Sequence, residues 1–293
     1  MNKKIVAIAM SLVVSGGVLI GTAYTNASQL SGYEAYKSSI KDTANLKNET
    51  ANVNISIKDN KGYLVDVSTN VKINSATSAM SQATTVKSSN GSETFSTFIQ
   101  DGKSISKSSI SEVYAVRESS HYNIRKEHEK MNPQVIKSVE TVVDILSGNM
   151  KDNVVVSPNA DGTKKISVSL NENQVIPLVN AIASIVMVTS SNDAMHNVKA
   201  GSLDVKNMIP QLASEIKVKS VNVTGDINKD NIMSNQVAKI VLSGKDASNV
   251  IHLITIDAAL NLSNINATTP DTVDLTGKQI ETITSDFRAR NNQ

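Results

Sequence analysis

The chain of 293 residues contains no cysteine, so disulfides, thiolate metal sites, iron–sulfur clusters and thiol nucleophiles are all excluded. It contains no tryptophan, and aromatic residues make up only 3% of it, so aliphatic side chains must build the core. Net charge is also nearly absent. The formal charge is +2 overall, and Lys3 and Lys4 account for it, which leaves 27 basic against 27 acidic residues in the rest. A nucleic-acid binder concentrates basic residues on one face. The one dense charged stretch here, Arg117 to Lys130, mixes both signs, so nucleic acid is not an expected partner.

What is present begins at the N-terminus. Lys3 and Lys4 precede an uncharged apolar run from Ile5 to Tyr24, followed by Thr25-Asn26-Ala27-Ser28. A positive start, an apolar middle and a small-residue exit form a secretory signal over residues 1–27, with cleavage expected after Ala27. Left uncleaved, the same run has roughly the 20 residues of a membrane anchor and would be the protein's one membrane contact. Either way the expected location is extracytoplasmic. A lipid anchor through cysteine is excluded. Asn48, Asn54, Asn90, Asn222, Asn261 and Asn266 each open an Asn-x-Ser/Thr triplet, a frequent accident in a chain so rich in Asn and Ser.

Residues Gly32 to Lys47 read as a surface helix with Tyr33, Tyr36, Ile40 and Leu46 on one side. The periodicity then changes to two, the mark of strands. Val53, Ile55 and Ile57 alternate with polar residues, Asp59-Asn60-Lys61-Gly62 supplies a hairpin turn, and Val65, Val67, Thr69, Val71 and Ile73 alternate on the return. Strands are predicted at Met80–Ser88, Thr94–Gln100, Lys103–Ser108 and Glu112–Arg117. A helix is predicted from the Asn132 cap and Pro133 to Gly148, with Val135, Val139, Val142, Val143 and Leu146 on one stripe. Val154–Val156 and Lys165–Leu170 form a hairpin. Val175 to Val188 is apolar nearly all round, and Asp204 to Ser214 reads as a third, short helix carrying Met208, Ile209 and Leu212. Strands at Ile216–Asp226, Ile232–Ser243 and Asn249–Ile265 close the chain before a tail over 285–293.

This layout predicts an α+β domain over residues 28–284: a curved, incompletely closed antiparallel sheet (a half-barrel) with an N-terminal helix and inserted helices covering one face. Two domains divided near Asn149 to Asp152 are the competing layout. Catalytic signatures are missing. There is no Gly-x-Ser-x-Gly elbow, no phosphate-binding glycine loop and no singled-out carboxylate pair, so no enzymatic activity, cofactor or metal is expected. His121 and His128, with Glu127 and Glu129, are a charged linker rather than a metal cluster. His196 belongs to a polar loop, and His252 to the start of the last apolar strand face.

The segments GYEAYKSSIKDTANLKN, KISVSLNENQVIPLVNAIAS and TTPDTVDLTGKQ resemble uncharacterised exported proteins of clostridia and bacilli. The order of elements from Gly32 to Ile283 resembles the LolA-like periplasmic lipoprotein carriers and their lipid-binding relatives. That resemblance implies a curved open sheet whose inserted helices form a lid over an apolar cavity, although the aromatic-lined cavities common among carriers have no counterpart here. The expected function is non-enzymatic binding of a lipid, acyl chain or other apolar segment in a Gram-positive cell envelope. Val175, Leu178, Val179, Ile182, Ile185 and Val186 would form the lid face, and Val53, Ile55, Val65, Val67, Ile254 and Ile256 the sheet wall. The alternative is a structural or protein-interaction component of the cell or spore surface, with a packed core and an envelope protein as partner.

Overall fold

The computed structural model describes residues 32–60, 62–118, 153–175 and 208–283. The signal segment, the helix predicted over 132–148, the apolar run beyond Val175, the tail, and His121, His128 and His196 lie outside the described residues.

Alternation of small and β-branched apolar residues with Asn, Ser, Thr and Lys commits most of the described chain to strands. After one helix, α1 (Gly32–Ala44), come β1 (Asn48–Asp59), β2 (Gly62–Asn74), β3 (Ala79–Ser88), β4 (Gly91–Gln100), β5 (Lys103–Ser108) and β6 (Val113–Glu118). Then follow β7 (Val154–Pro158), β8 (Lys164–Asn171), β9 (Ser214–Ile227), β10 (Met233–Lys245), β11 (Ile251–Ser263) and β12 (Gln279–Thr282). All twelve strands belong to one sheet, in the order β12-β6-β5-β4-β3-β2-β1-β11-β10-β9-β8-β7. The order is linear, so the sheet stays open, with β12 and β7 at its edges. Neighbours are antiparallel except β12, which runs parallel to β6.

Two meanders therefore meet at the β1–β11 pair. Val53, Ile55 and Ile57 stand opposite Leu260, Ala258 and Ile256, so both meanders turn their apolar phase to the same face. The register is fixed by local turns. Asp59 pairs with Gly62, leaving a two-residue connection with Asn60 at φ 46°. Between the paired Gln100 and Lys103, Asp101 and Gly102 both have positive φ, as a type I′ hairpin requires.

The core lies on the apolar face in two clusters. One joins Tyr36 and Ile40 of α1 to Val154, Ile166, Val168, Leu170, Val221, Ile227 and Met233 at the β7 end. The other spans β1, β2, β10 and β11 around Ile55, Ile57, Val65, Ile254 and Ile256. Val218 and Ile240 pack against both. Helix α1 is fixed to its end of the sheet by polar contacts: Thr43 Oγ1 accepts from the Met233 amide at 2.8 Å, and Gln236 Nε2 donates to the Tyr36 hydroxyl at 3.0 Å. At its start, a β-carbon on Gly32 would stand 2.5 Å from the Val154 carbonyl oxygen, so only glycine lets the helix begin against β7.

Three sequence expectations need correction. Among the described residues the protein is mostly β, with helix confined to α1, one turn at 172–175 and the single positions Asn153 and Met208; the inserted helices predicted to cover the sheet fall on residues outside them. The helix predicted over Asp204 to Ser214 does not continue past Met208. Pro210 lacks an amide proton and disfavours helical backbone at Ile209, and β9 has begun by Ser214. Ile209 and Leu212 are nevertheless buried on the apolar face. Finally, the chain does not end its regular structure at β11. Residues 264–278 form a strap over the polar face: Asn48 Nδ2 donates to the Thr268 carbonyl, the Asp271 amide donates to Ser81 Oγ, the Val273 amide donates to Gln100 Oε1, and β12 then docks on β6.

Candidate functional site: an apolar row ending in a buried carboxyl

Following the strand register across the sheet at one level gives Val154, Val168, Val223, Ala238, Ala258, Ile55, Val67, Val86 and Glu93, one residue from each strand from β7 to β4. Eight apolar side chains line up on one face, and the ninth is a carboxyl. At the usual strand spacing the row is roughly 38 Å long. Glu93 is 1% exposed. Its Oε1 accepts a hydrogen bond from Ser108 Oγ at 2.6 Å, while its buried Oε2 has no hydrogen-bond partner among the described residues. A buried carboxyl oxygen without a donor is costly, so this corner of the face is an acceptor in want of a proton-bearing group.

Two further polar groups border the apolar face. Glu49 stands in phase with Val53 and Ile55 at the start of β1, and burial pushes its carboxyl up to about 7. Its Oε2 also lacks a hydrogen-bond partner among the described residues. At the opposite end of β1, His252 Nδ1 lies 2.7 Å from Asp59 Oδ2, and Nε2 lies 3.4 Å from Asp246 Oδ2. The hydrogen bond to Asp59 raises the proton affinity of the imidazole above its usual value, against the opposing effect of burial. Asp246 is held below the ordinary carboxylate range, first by the Val250 amide. His252 thus locks a strand corner from between Asp59 and Asp246. Among the described residues no group of three or more His, Asp or Glu is placed to hold a metal.

The polar face carries a separate feature. A trough of about 560 Å³ crosses β11, β1, β2 and β3 and reaches β10 at Val237, lined by Asn54, Ser56, Asp66, Ser68, Thr85, Lys87 and Asp257 with Val237 and Ala259. Ile55, Val67 and Ala258 also border it, through their main chain, because strand alternation turns their side chains to the other face.

No protein-family model matches the chain, and no curated protein matches its sequence. Among solved structures it is similar to a β-barrel-like protein of a domain of unknown function from Brucella abortus. That likeness has 9% identity over 74% of this chain and 98% of the other, with a TM-score of 0.17. It is also similar to the dehydratase domain of PpsC from Mycobacterium tuberculosis, solved in complex with C12:1-CoA. There the identity is 8% over 87% of this chain and 84% of the other, with a TM-score of 0.12. Likenesses this slight assign no family and carry no argument about function.

The six sheet residues singled out from the sequence, Val53, Ile55, Val65, Val67, Ile254 and Ile256, all fall in one buried cluster on one face. Val175 joins the other cluster, at the β7 end of the same face. Leu178, Val179, Ile182, Ile185 and Val186 lie outside the described residues. Sequence reasoning passed over Glu49 and Glu93. Glu49 was within reach, because it shares the phase of Val53, Ile55 and Ile57. Glu93 was not, because β4 carries apolar residues on both phases, Phe95 and Ile99 against Phe98.

Proposed function

We propose that this is an exported, non-enzymatic protein of the cell envelope that holds a lipid, acyl chain or other apolar segment along its apolar face. The observation that carries this reading is the cross-strand row from Val154 to Val86, which ends at the buried, half-satisfied carboxyl of Glu93. Such a row suits an extended amphiphile, with aliphatic side chains along the chain and one polar group to orient its head. Glu93 Oε2 would accept from a hydroxyl or amine of the head group. The apolar run that starts at Val175 would form the helical cover of that face.

Native mass spectrometry of the full chain purified from its own host tests the reading. Co-purifying lipid, together with saturable uptake of a fluorescent long-chain amine or alcohol, is the expected result. A clean unliganded mass with no uptake of the probe would overturn it.

A second reading, a protein-interaction component of the surface, is favoured by one observation. Val250, Ile251 and Leu253 at the β10–β11 turn, and Tyr63 beside the β1–β2 turn, are exposed apolar side chains at neighbouring strand ends. Loss of a cross-linked envelope partner on Ile251→Ser substitution would mark this reading, with lipid content unchanged.

A further inference from the structure

We propose that the trough on the polar face is a binding site for an oligosaccharide, independent of the apolar face behind it. Its volume of about 560 Å³ falls in the range of small-ligand sites. Its floor is two cross-strand rows. Asp257, Ser56, Asp66 and Lys87 form one, and Asn54, Ser68 and Thr85 continue the other from Ala259.

The hydrogen-bonding capacity of this floor differs from that of the rows beside it. One row towards the strap, Asn70 Nδ2 donates to Asn52 Oδ1 at 2.7 Å, so those amides satisfy each other. In the trough, Asn54 faces Ser68, and Ser56 faces Asp66. Yet Asn54, Ser56 and Ser68 spend no side-chain hydrogen bond on another described residue. Amide, hydroxyl and carboxylate groups together present both donors and acceptors, the pattern that sugar hydroxyls, themselves both, can meet.

Charge argues the same way. Lys58 and Lys239 approach Asp257 at 3.5 and 3.9 Å, and Asp66 stands opposite Lys87 in the register. No cluster of unopposed cations remains for a phosphate, and a polar floor offers nothing to an acyl chain. Val237 and Ala259 supply a small apolar wall for the C–H face of a sugar ring.

The test uses the full chain on a glycan array spanning amino-sugar and neutral hexose backbones, followed by calorimetric titration of the best-retained oligosaccharide. Ser68→Leu fills the trough from an exposed position on the outer face, away from the buried clusters. Saturable binding, weakened by roughly tenfold in Ser68→Leu with an unchanged melting temperature, is expected. Uptake of the fluorescent acyl probe should be the same in both proteins, which separates this site from the apolar one. An array with no retained glycan, or an affinity that Ser68→Leu leaves untouched, would overturn the proposal.

Discussion

The Nδ1 of His252 lies 2.7 Å from Oδ2 of Asp59, joining the first residues of β11 to the last residue of β1. With Nε2 facing Asp246 at 3.4 Å, the ring bridges carboxylates from two neighbouring turns. The pair β1–β11 is also where the two meanders become one sheet, so this contact closes the end of their seam.

The His252 contact predicts a pH dependence of stability. Its proton affinity is raised in the folded protein, chiefly by Asp59. The folded state therefore binds this proton more tightly than the unfolded chain. The resulting stabilisation is complete below the unfolded value of about 6.5 and is lost as pH rises through the higher folded value. Melting temperatures followed from roughly pH 5 to 9 should fall across that window, and His252→Gln should flatten the fall. Equal slopes in the two proteins would show that the bridge does not select the charged ring.

Glu49 predicts a second contribution of the same sign from a different cause. Burial raises this carboxyl to about 7, so the folded state favours its neutral form. Its stabilisation is present below the unfolded value and lost as pH climbs through about 7. Glu49→Gln, which fixes the neutral form, should stabilise the protein above that pH by about 1 kcal/mol once partial exposure is allowed for. Near pH 5 it should change little. Urea unfolding at the two pH values measures the difference, and combination with His252→Gln separates the two slopes.

The phase of the strands was legible because polar and apolar residues alternate through Val53–Ile57 of β1, Val65–Ser68 of β2 and Ile254–Ala258 of β11. Val53, Ile55, Val65, Val67, Ile254 and Ile256 were assigned to one face from that alternation, and the register brings them together. The order of strands was not legible. Nothing local tells β1 to pair with β11, about 200 residues away, because any strand with a matching apolar phase would satisfy its edge. The strap was missed for a related reason. Residues 264–278 make their bonds mainly through side-chain amides and hydroxyls of distant strands, and such bonds leave no periodic pattern. The trough needed both pieces of knowledge, since its floor draws on β11, β1, β2 and β3 at once.

That strap depends on Asn48. Its Nδ2 donates to the Thr268 carbonyl at 3.0 Å, and its Oδ1 accepts from the Thr268 amide at 2.6 Å. Thr268 Oγ1 lies 2.8 Å from Thr50 Oγ1 and is buried with it. Asn48→Ala leaves both Thr268 main-chain groups without these partners and should cost about 1–3 kcal/mol. Hydrogen exchange should accelerate through 268–282, including the amides of β12, while β1 and β11 stay protected. Unchanged exchange in β12 would mean that the β6 pairing alone holds the strap.

Gly225 predicts the tightest steric limit in the sheet. A β-carbon there would meet Met233 Sδ at 2.8 Å, the Asn235 carbonyl oxygen at 2.9 Å and Ile166 Cγ1 at 3.2 Å. The methionine can swing aside, but the carbonyl belongs to the β10 main chain, where the β9–β10 register shifts between Met233 and Asn235. Gly225→Ala must therefore displace backbone at the point where Thr43 of α1 also accepts from the Met233 amide. Overpacking of this kind costs about 1–3 kcal/mol, and the helix contact should weaken with it. The variant should melt earlier and expose α1 to faster exchange. In a double-mutant cycle with Met233→Ala, which removes the sulfur but not the carbonyl, Gly225→Ala should cost less than in the parent but still a measurable part of its loss, once the cavity cost of Met233→Ala alone is subtracted. No cost of Gly225→Ala in the Met233→Ala background would assign the strain to the side chain rather than to the main chain of β10.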